Sequence, residues 1–262
     1  MEKRTFAGVQ VPVLGQGTWN LRGPEAVKAL RAGLDLGLTH IDTAEMYGTE
    51  ETVAQAIEGR RDEVFLVSKV LPSNATRRGT VQACEKSLER LRTDRLDCYL
   101  LHWPGSHPLE GTIAAFEELR AAGKIRSYGV SNFDEEQLRD AARLGTIACN
   151  QVLYNLSERH SEARVLPVCR ELRIAMVGYS PFDGLPEGGA LAEVAAELEA
   201  TPRQVALAFL TRLPATFAIP KASRVAHVRE NAAAASLKLS AKQIARLDKA
   251  YPVHIRRELP TR

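Results

Sequence analysis

No run of about 18 uninterrupted apolar residues occurs in this 262-residue chain, so no membrane-spanning helix is expected. Met1-Glu2-Lys3-Arg4 leads into Phe6 and then polar and small residues, without the apolar centre of a secretory signal. Long basic runs are missing too. Arg60-Arg61, Arg77-Arg78 and Arg256-Arg257 are isolated pairs, and Lys+Arg 35 against Asp+Glu 32 leaves only +3, which argues against a nucleic-acid footprint. Cysteine is sparse: Cys84, Cys98, Cys149 and Cys169 stand far apart without a C-x-x-C pair, as expected of buried free thiols in a reducing compartment. These absences point to a soluble, cytoplasmic protein. Gly15-Gln16-Gly17 lacks the third glycine of a dinucleotide fingerprint, which speaks against a Rossmann fold. No H-x-H occurs, and His40, His102 and His107 share no ligand spacing, so a metal-dependent hydrolase built on them with Asp42 is a weak alternative and no metal is expected.

What is present is a repeat of strand and helix. Thr5–Val11, with Ala7-Gly8 at its centre, predicts a small hairpin. Val13–Gln16 then reads as a strand, and Pro24–Leu36 as a helix stopped by Gly37. Seven more strands follow, at Leu38–Ile41, Val64–Lys69, Leu96–Leu101, Ser127–Val130, Ala148–Gln151, Ala175–Tyr179 and Phe217–Ile219. The intervening helices fall at Thr49–Ile57, Arg77–Leu91, Gly111–Ala121, Glu135–Leu144 and Glu162–Leu172. Two helices follow the seventh strand, Ala190–Leu198 and Pro202–Thr211, and two the eighth, near Val225–Ala233 and Ala241–Lys249. Short apolar strands suit a parallel sheet buried on both faces. Eight such units in a chain near the typical barrel length predict a single-domain α/β fold, a (β/α)8 TIM barrel with an N-terminal hairpin and extra helices near the C-terminus.

In such a barrel the C-terminal strand ends share one face, where chemistry sits. This sequence puts Thr18 and Trp19 there, then Asp42 with Tyr47 one loop later, Ser68-Lys69, His102-Trp103-Pro104, Ser131-Asn132-Phe133, Asn150-Gln151, Tyr179-Ser180-Pro181 and Pro220-Lys221. A carboxylate at a strand end is ordinarily a helix cap, and a loop tyrosine ordinarily packs. Lys69 changes that reading, because an ammonium after four apolar strand residues needs a counter-charge, and Asp42 can supply it. A buried Asp42–Lys69 pair alone would only brace the barrel. With Tyr47 alongside, the ammonium would lower the phenol's pKa from about 10 and make it a proton donor. His102 can orient a carbonyl oxygen. That chemistry is carbonyl reduction or alcohol oxidation, and its hydride must come from a nicotinamide.

The chain resembles the aldo-keto reductases over essentially its whole length. The resemblance rests on Gly15–Trp19, Ile41–Gly48, Val67–Lys69, Leu96–Pro104, Gly123–Phe133, Asn150–Val152, Gly178–Pro181, Ile219–Ser223 and Glu230-Asn231, in this order and spacing. It is most similar to the short bacterial members that reduce methylglyoxal and related small aldehydes, with 2,5-diketogluconate reductases close by. The resemblance implies an Asp42, Tyr47, Lys69, His102 tetrad and NADPH lying across the barrel mouth. Ser131, Asn132 and Gln151 would bind the nicotinamide amide, and Tyr179 would stack on its ring. Gly17, Thr18, Trp19 and Asp42 would lie along the cofactor, with Ser180 and Phe182 at its pyrophosphate and adenosine. Lys221, Ala222 and Ser223 would approach the ribose phosphate, and Glu230 and Asn231 the adenine.

Two departures qualify this. Many relatives carry an arginine six positions after Lys221, where this chain has His227, and Arg224 stands nearby as its substitute. NADPH preference is still expected, with NADH the alternative, although a neutral imidazole is a weaker phosphate partner than a guanidinium. The Gly105–Pro108 loop and the Pro252–Arg262 tail are short, so an open substrate site lined by Trp19, Met46, Tyr47, His102, Trp103 and Phe133 is expected, suited to small carbonyl compounds. By family analogy the protein would act as a monomer. The alternative within the same fold is a cofactor-binding regulatory subunit with little turnover.

Overall fold

The computed structural model describes residues 1–261. Strands β1 (Lys3–Phe6) and β2 (Val9–Pro12) pair antiparallel. The turn between them has positive φ at Ala7 (50°) and Gly8 (80°), the two-residue turn whose twist matches a hairpin. Eight parallel strands follow: β3 (Gln16–Gly17), β4 (His40–Asp42), β5 (Phe65–Val70), β6 (Leu96–Leu101), β7 (Ile125–Ser131), β8 (Ile147–Leu153), β9 (Ala175–Tyr179) and β10 (Thr216–Ala218), hydrogen-bonded in chain order. The sheet closes on itself. The Gly15 amide donates to the Ala218 carbonyl at 2.8 Å, the Ala218 amide to Val13 at 2.9 Å, and Gly17 bridges Lys221. Gly17 is needed here, because a Cβ would sit 2.7 Å from the Ile219 carbonyl oxygen.

The outer ring consists of α1 (Gly23–Asp35), α2 (Glu50–Ile57), α3 (Arg77–Leu91), α4 (Leu109–Ala121), α5 (Glu135–Leu144), α6 (His160–Ala163), α7 (Val165–Glu171), α8 (Ala190–Glu197), α9 (Pro202–Leu210), α10 (Val225–Ala234) and α11 (Ala241–Ala250). Asp134, Thr201 and Ser240 cap three of these helices, each in a reciprocal box with a glutamine three residues on. The single helix expected over Glu162–Leu172 is instead split at Arg164 into α6 and α7. Pro167 accounts for the break, because its ring lacks an N–H and collides with the carbonyl four residues earlier.

Strand alternation builds two cores. On β5, Leu66 and Val70 pack outward with the helices, whereas Phe65 and Val67 pack with Leu100, Val177 and Phe217 inside the barrel. Phe6 of the hairpin plugs the bottom, its ring centroid 4.7 Å from Phe65 and 5.3 Å from Phe217. A third cluster joins α8, α9 and α11. All four cysteines are free and buried. Among the described residues no helix is long and apolar enough to cross a membrane.

Candidate active site

Lys69 lies on the inward face of β5, two residues beyond Val67, and is completely buried. Asp42 closes the neighbouring strand β4 and is 1% exposed. The Lys69 Nζ donates to Asp42 Oδ1 at 2.5 Å, to the Thr43 carbonyl at 2.8 Å and to the Tyr47 hydroxyl at 3.3 Å. Gln151, reaching in from β8, donates its Nε2 to the other Asp42 oxygen at 2.7 Å. The carboxylate is thus held from two sides, which offsets much of its desolvation. Tyr47 stands on a single 3-10 turn, Glu45–Tyr47, that follows β4. The His102 ring lies 5.5 Å from the Tyr47 ring, centroid to centroid, and Trp19 packs edge-on at 5.0 Å from the other side.

The electrostatics differ in one respect from the sequence expectation. Burial raises the Tyr47 pKa, and Lys69 offsets that rise only in part, while Asp42 adds to it. The net direction is upward, so the phenol keeps its proton at neutral pH. Lys69 itself is pulled down by burial, but Asp42 and the phenol more than reverse this, leaving it raised and charged. Burial and the Lys69 charge depress His102 to about 3, so its ring is neutral. A neutral imidazole and a protonated phenol, side by side, are two hydrogen-bond donors for one oxygen atom.

These groups open into a cavity of about 650 Å³. Gly17, Thr18, Trp19, Asp42, Met46, Tyr47, His102 and Trp103 line one half, and Ser131, Asn132, Gln151, Tyr179, Ser180, Phe182 and Lys221 the other. Ser131 donates its hydroxyl to the Gln151 carbonyl at 2.9 Å, and the Tyr179 hydroxyl donates to Asn132 Oδ1 at 2.9 Å. The amide-bearing wall is therefore cross-tied before any ligand enters. Trp19, Met46 and Trp103 are 50%, 41% and 37% exposed, unusual for such large apolar groups.

Other expected residues lie elsewhere. Phe133 is 3% exposed and packs in the outer core, facing a separate hollow with Leu101, Leu109 and Leu144. It does not line the cavity. The reason is Asn132, whose left-handed backbone (φ 61°) turns the chain so that the next side chain points outward. Ala222 and Asn231 border a small pit beside Gly17, beyond the main cavity. Ser223 and Arg224 are exposed on the segment leading into α10. Arg224 Nη2 lies 2.8 Å from His227 Nε2, so the guanidinium and the imidazole form one unit. Glu230 accepts from the Thr201 hydroxyl at 2.5 Å. The tail runs past Glu158 and His160, with none of its described residues in the cavity lining, and Arg262 lies outside the described residues. Sequence reasoning missed Asn20, Asp183 and Ile219 in the lining and the Thr43 carbonyl on Lys69. Asn20 and Asp183 directly follow the recognised Trp19 and Phe182, and that adjacency was the available signal. His107 faces the separate hollow, and among the described residues no group of three or more His, Cys, Asp or Glu side chains could hold a metal ion.

Comparison with known proteins bears on this geometry. The profile of the Aldo/keto reductase family matches residues 13–188 and 183–252. The methylglyoxal reductase YeaE of Escherichia coli (strain K12) is 46% identical over 267 residues, covering 94% of each chain. A crystal structure of an aldo/keto reductase from Klebsiella pneumoniae in complex with NADP and acetate superposes with a TM-score of 0.96 at 43% identity, over 100% of this chain and 99% of that one. A second Klebsiella pneumoniae aldo-keto reductase, in complex with NADPH, gives 0.95 at 44% identity over the whole of both chains. The chain belongs to the aldo/keto reductase family.

Proposed function

We propose that this protein is an NADPH-dependent reductase of small, uncharged aldehydes and ketones, with Tyr47 as the proton donor. The observation that carries the reading is Lys69 Nζ placed between Asp42 and the Tyr47 hydroxyl, with neutral His102 beside the phenol at the floor of an open cavity. The donor set fits a nicotinamide: Ser131, Asn132 and Gln151 would hold its carboxamide, the Tyr179 ring would cover its face, and Lys221 would meet its phosphates. Bound there, the reduced cofactor supplies the hydride. The chain's own groups do the rest. Tyr47 and His102 aim two donors at the carbonyl oxygen, and the phenol passes its proton as negative charge develops there. Lys69 limits the cost of the phenolate left behind, and Asp42 keeps Lys69 charged. All of these groups come from one chain, so the reading needs no partner subunit.

Trp19, Met46 and Trp103 supply apolar walls at the substrate end, and Lys69 is already neutralised by Asp42. A small carbonyl compound such as methylglyoxal suits these walls, whereas a carboxylate-bearing one gains no cation there. The test is Tyr47→Phe. NADPH oxidation with methylglyoxal should fall by about 10³-fold or more, with NADPH affinity by fluorescence within about twofold of wild type. Retained turnover would sink the role of Tyr47. A wild-type protein that binds NADPH yet turns over no aldehyde would favour the regulatory-subunit alternative.

A further inference from the structure

One carboxylate near the site touches neither the cavity nor any lysine. Glu45 opens the 3-10 turn that carries Tyr47, and its side chain points away from the barrel mouth. Its Oε1 accepts the Leu71 backbone N–H at 2.6 Å and Asn74 Nδ2 at 3.1 Å. Leu71 directly follows β5 and stands two residues after Lys69. A single oxygen therefore ties the turn bearing the phenol to the strand end bearing the ammonium. Hydrogen bonds to an ionised acceptor are about twice as strong as neutral ones.

The other flank of the turn is held by other contacts. Arg22 Nη2 donates to the Tyr47 carbonyl at 3.1 Å from an exposed position. Thr49, just past Gly48, places its hydroxyl 3.1 Å from those of both Thr18 and Thr43. These contacts bind the turn to the start of α1 and to the residues just after β3 and β4, and none of them reaches β5. Two bonds from the flanking segments reach β5, from the Thr43 N–H to the Val67 carbonyl at 2.9 Å and from the Ser68 hydroxyl to Glu50 at 2.6 Å, but within the turn itself Glu45 is the residue besides Tyr47 that ties it to the β5 end.

We propose that Glu45 is a positioning residue for Tyr47, fixing the phenol against Lys69 through the Leu71 amide. The inference rests on the reductase reading above. Because neither Glu45 nor Leu71 lines the cavity, the effect must fall on kcat and not on binding. A misplacement of about 1 Å at a reacting group costs up to about 10²-fold.

The experiment compares wild type, Glu45→Ala, Glu45→Gln and Asn74→Ala by steady-state reduction of methylglyoxal and by NADPH titration. Glu45→Ala should lower kcat by about tenfold or more, with KM for the aldehyde and Kd for NADPH within about twofold of wild type. Glu45→Gln keeps an oxygen for the Leu71 N–H and should recover to within about threefold. Asn74→Ala removes only the second donor and should lose roughly twofold to fivefold, which tests the idea even if Glu45→Ala folds poorly. The proposal is overturned if Glu45→Ala turns over like wild type, if KM and Kd rise in step with the loss of kcat, or if glutamine is no better than alanine. Absence of turnover in wild type would overturn the reductase reading as well, so the two failures are distinct.

Discussion

Replacing Lys69 by methionine is the sharpest test of the site's electrostatics. Methionine keeps the length and most of the volume, so packing inside the barrel changes little. What changes is charge. Asp42, 1% exposed, loses its partner at 2.5 Å and keeps the Gln151 amide at 2.7 Å. Stranding one member of a buried pair costs about 3–5 kcal/mol. For a chain of this size that corresponds to a fall of roughly 6–20 °C in Tm. Adding Asp42→Asn removes the stranded charge, so the double variant should recover about 1–2 kcal/mol relative to Lys69→Met alone. The pH dependence has a definite sign. The folded-state pKa of Lys69 is raised, so the stability it contributes is fully present below its unfolded value of about 10.4 and is lost as pH climbs through the higher folded value. The gap between wild type and Lys69→Met should be flat from about pH 6 to 9 and narrow only above about pH 10.5. Urea denaturation followed by tryptophan fluorescence measures all of this. A Lys69→Met protein destabilised by less than about 1 kcal/mol, or a double variant weaker than the single, would refute the reasoning.

Three further outcomes follow from the same geometry. Burial depresses His40 to about 4 and His102 to about 3, so both stay neutral in the fold while the unfolded chain takes up protons below about pH 6.5; stability then falls with acid at up to about 1.4 kcal/mol per pH unit for each group. His40→Leu should therefore flatten the acid limb of a urea stability profile between pH 6.5 and 4.5, and an unchanged slope would contradict it. If Arg224, paired with His227, takes the phosphate role proposed for it, Arg224→Ala should weaken NADPH binding by roughly tenfold and NADH binding by less than about twofold; equal losses in two fluorescence titrations would remove Arg224 from that role. With the Tyr47 pKa raised, reduction should vary little from about pH 6 to 9, whereas alcohol oxidation, which needs the phenolate, should climb throughout; parallel profiles would count against Tyr47 as the shared acid and base.

Much of this site was legible because parallel-barrel topology converts linear order into place. Once eight strand–helix units are recognised, the last residues of each strand must share a rim, and Asp42, Lys69, His102, Ser131, Gln151 and Tyr179 do meet there. Strand parity further tells which of two neighbours faces inward, which is why Lys69 rather than Ser68 enters the barrel; Ser68 turns outward and donates to the buried Glu50 at 2.6 Å. The same logic fails one step past a strand end. Phe133 follows Ser131 by two residues and would share its side if the strand continued. The left-handed Asn132 breaks the period and sends the ring into the outer core. Glu45 was silent for another reason: its shorter bond comes from a backbone N–H, which no side-chain pattern announces, and its second partner, Asn74, lies 29 residues away.

The phenol shows where reasoning from neighbours alone misleads. Lysine next to tyrosine predicts a lowered pKa, and the lysine is there at 3.3 Å. Yet a charge and a desolvation act on the same group with opposite signs, and the packing of the whole pocket decides which is larger. Here Trp19 and His102 pack against Tyr47 on two sides, and Asp42 cancels much of the ammonium's field. Burial wins, and the phenol remains an acid. That changes what Lys69 is for. It does not hold a phenolate ready in the resting protein. In the mechanism we propose, it would limit the energetic cost of forming one at the moment the proton leaves, which would lower the barrier without spending the proton beforehand. Such an arrangement works only if the ammonium stays within reach of the oxygen, so the distance between the turn that carries Tyr47 and the strand that carries Lys69 matters as much as the identity of the two residues.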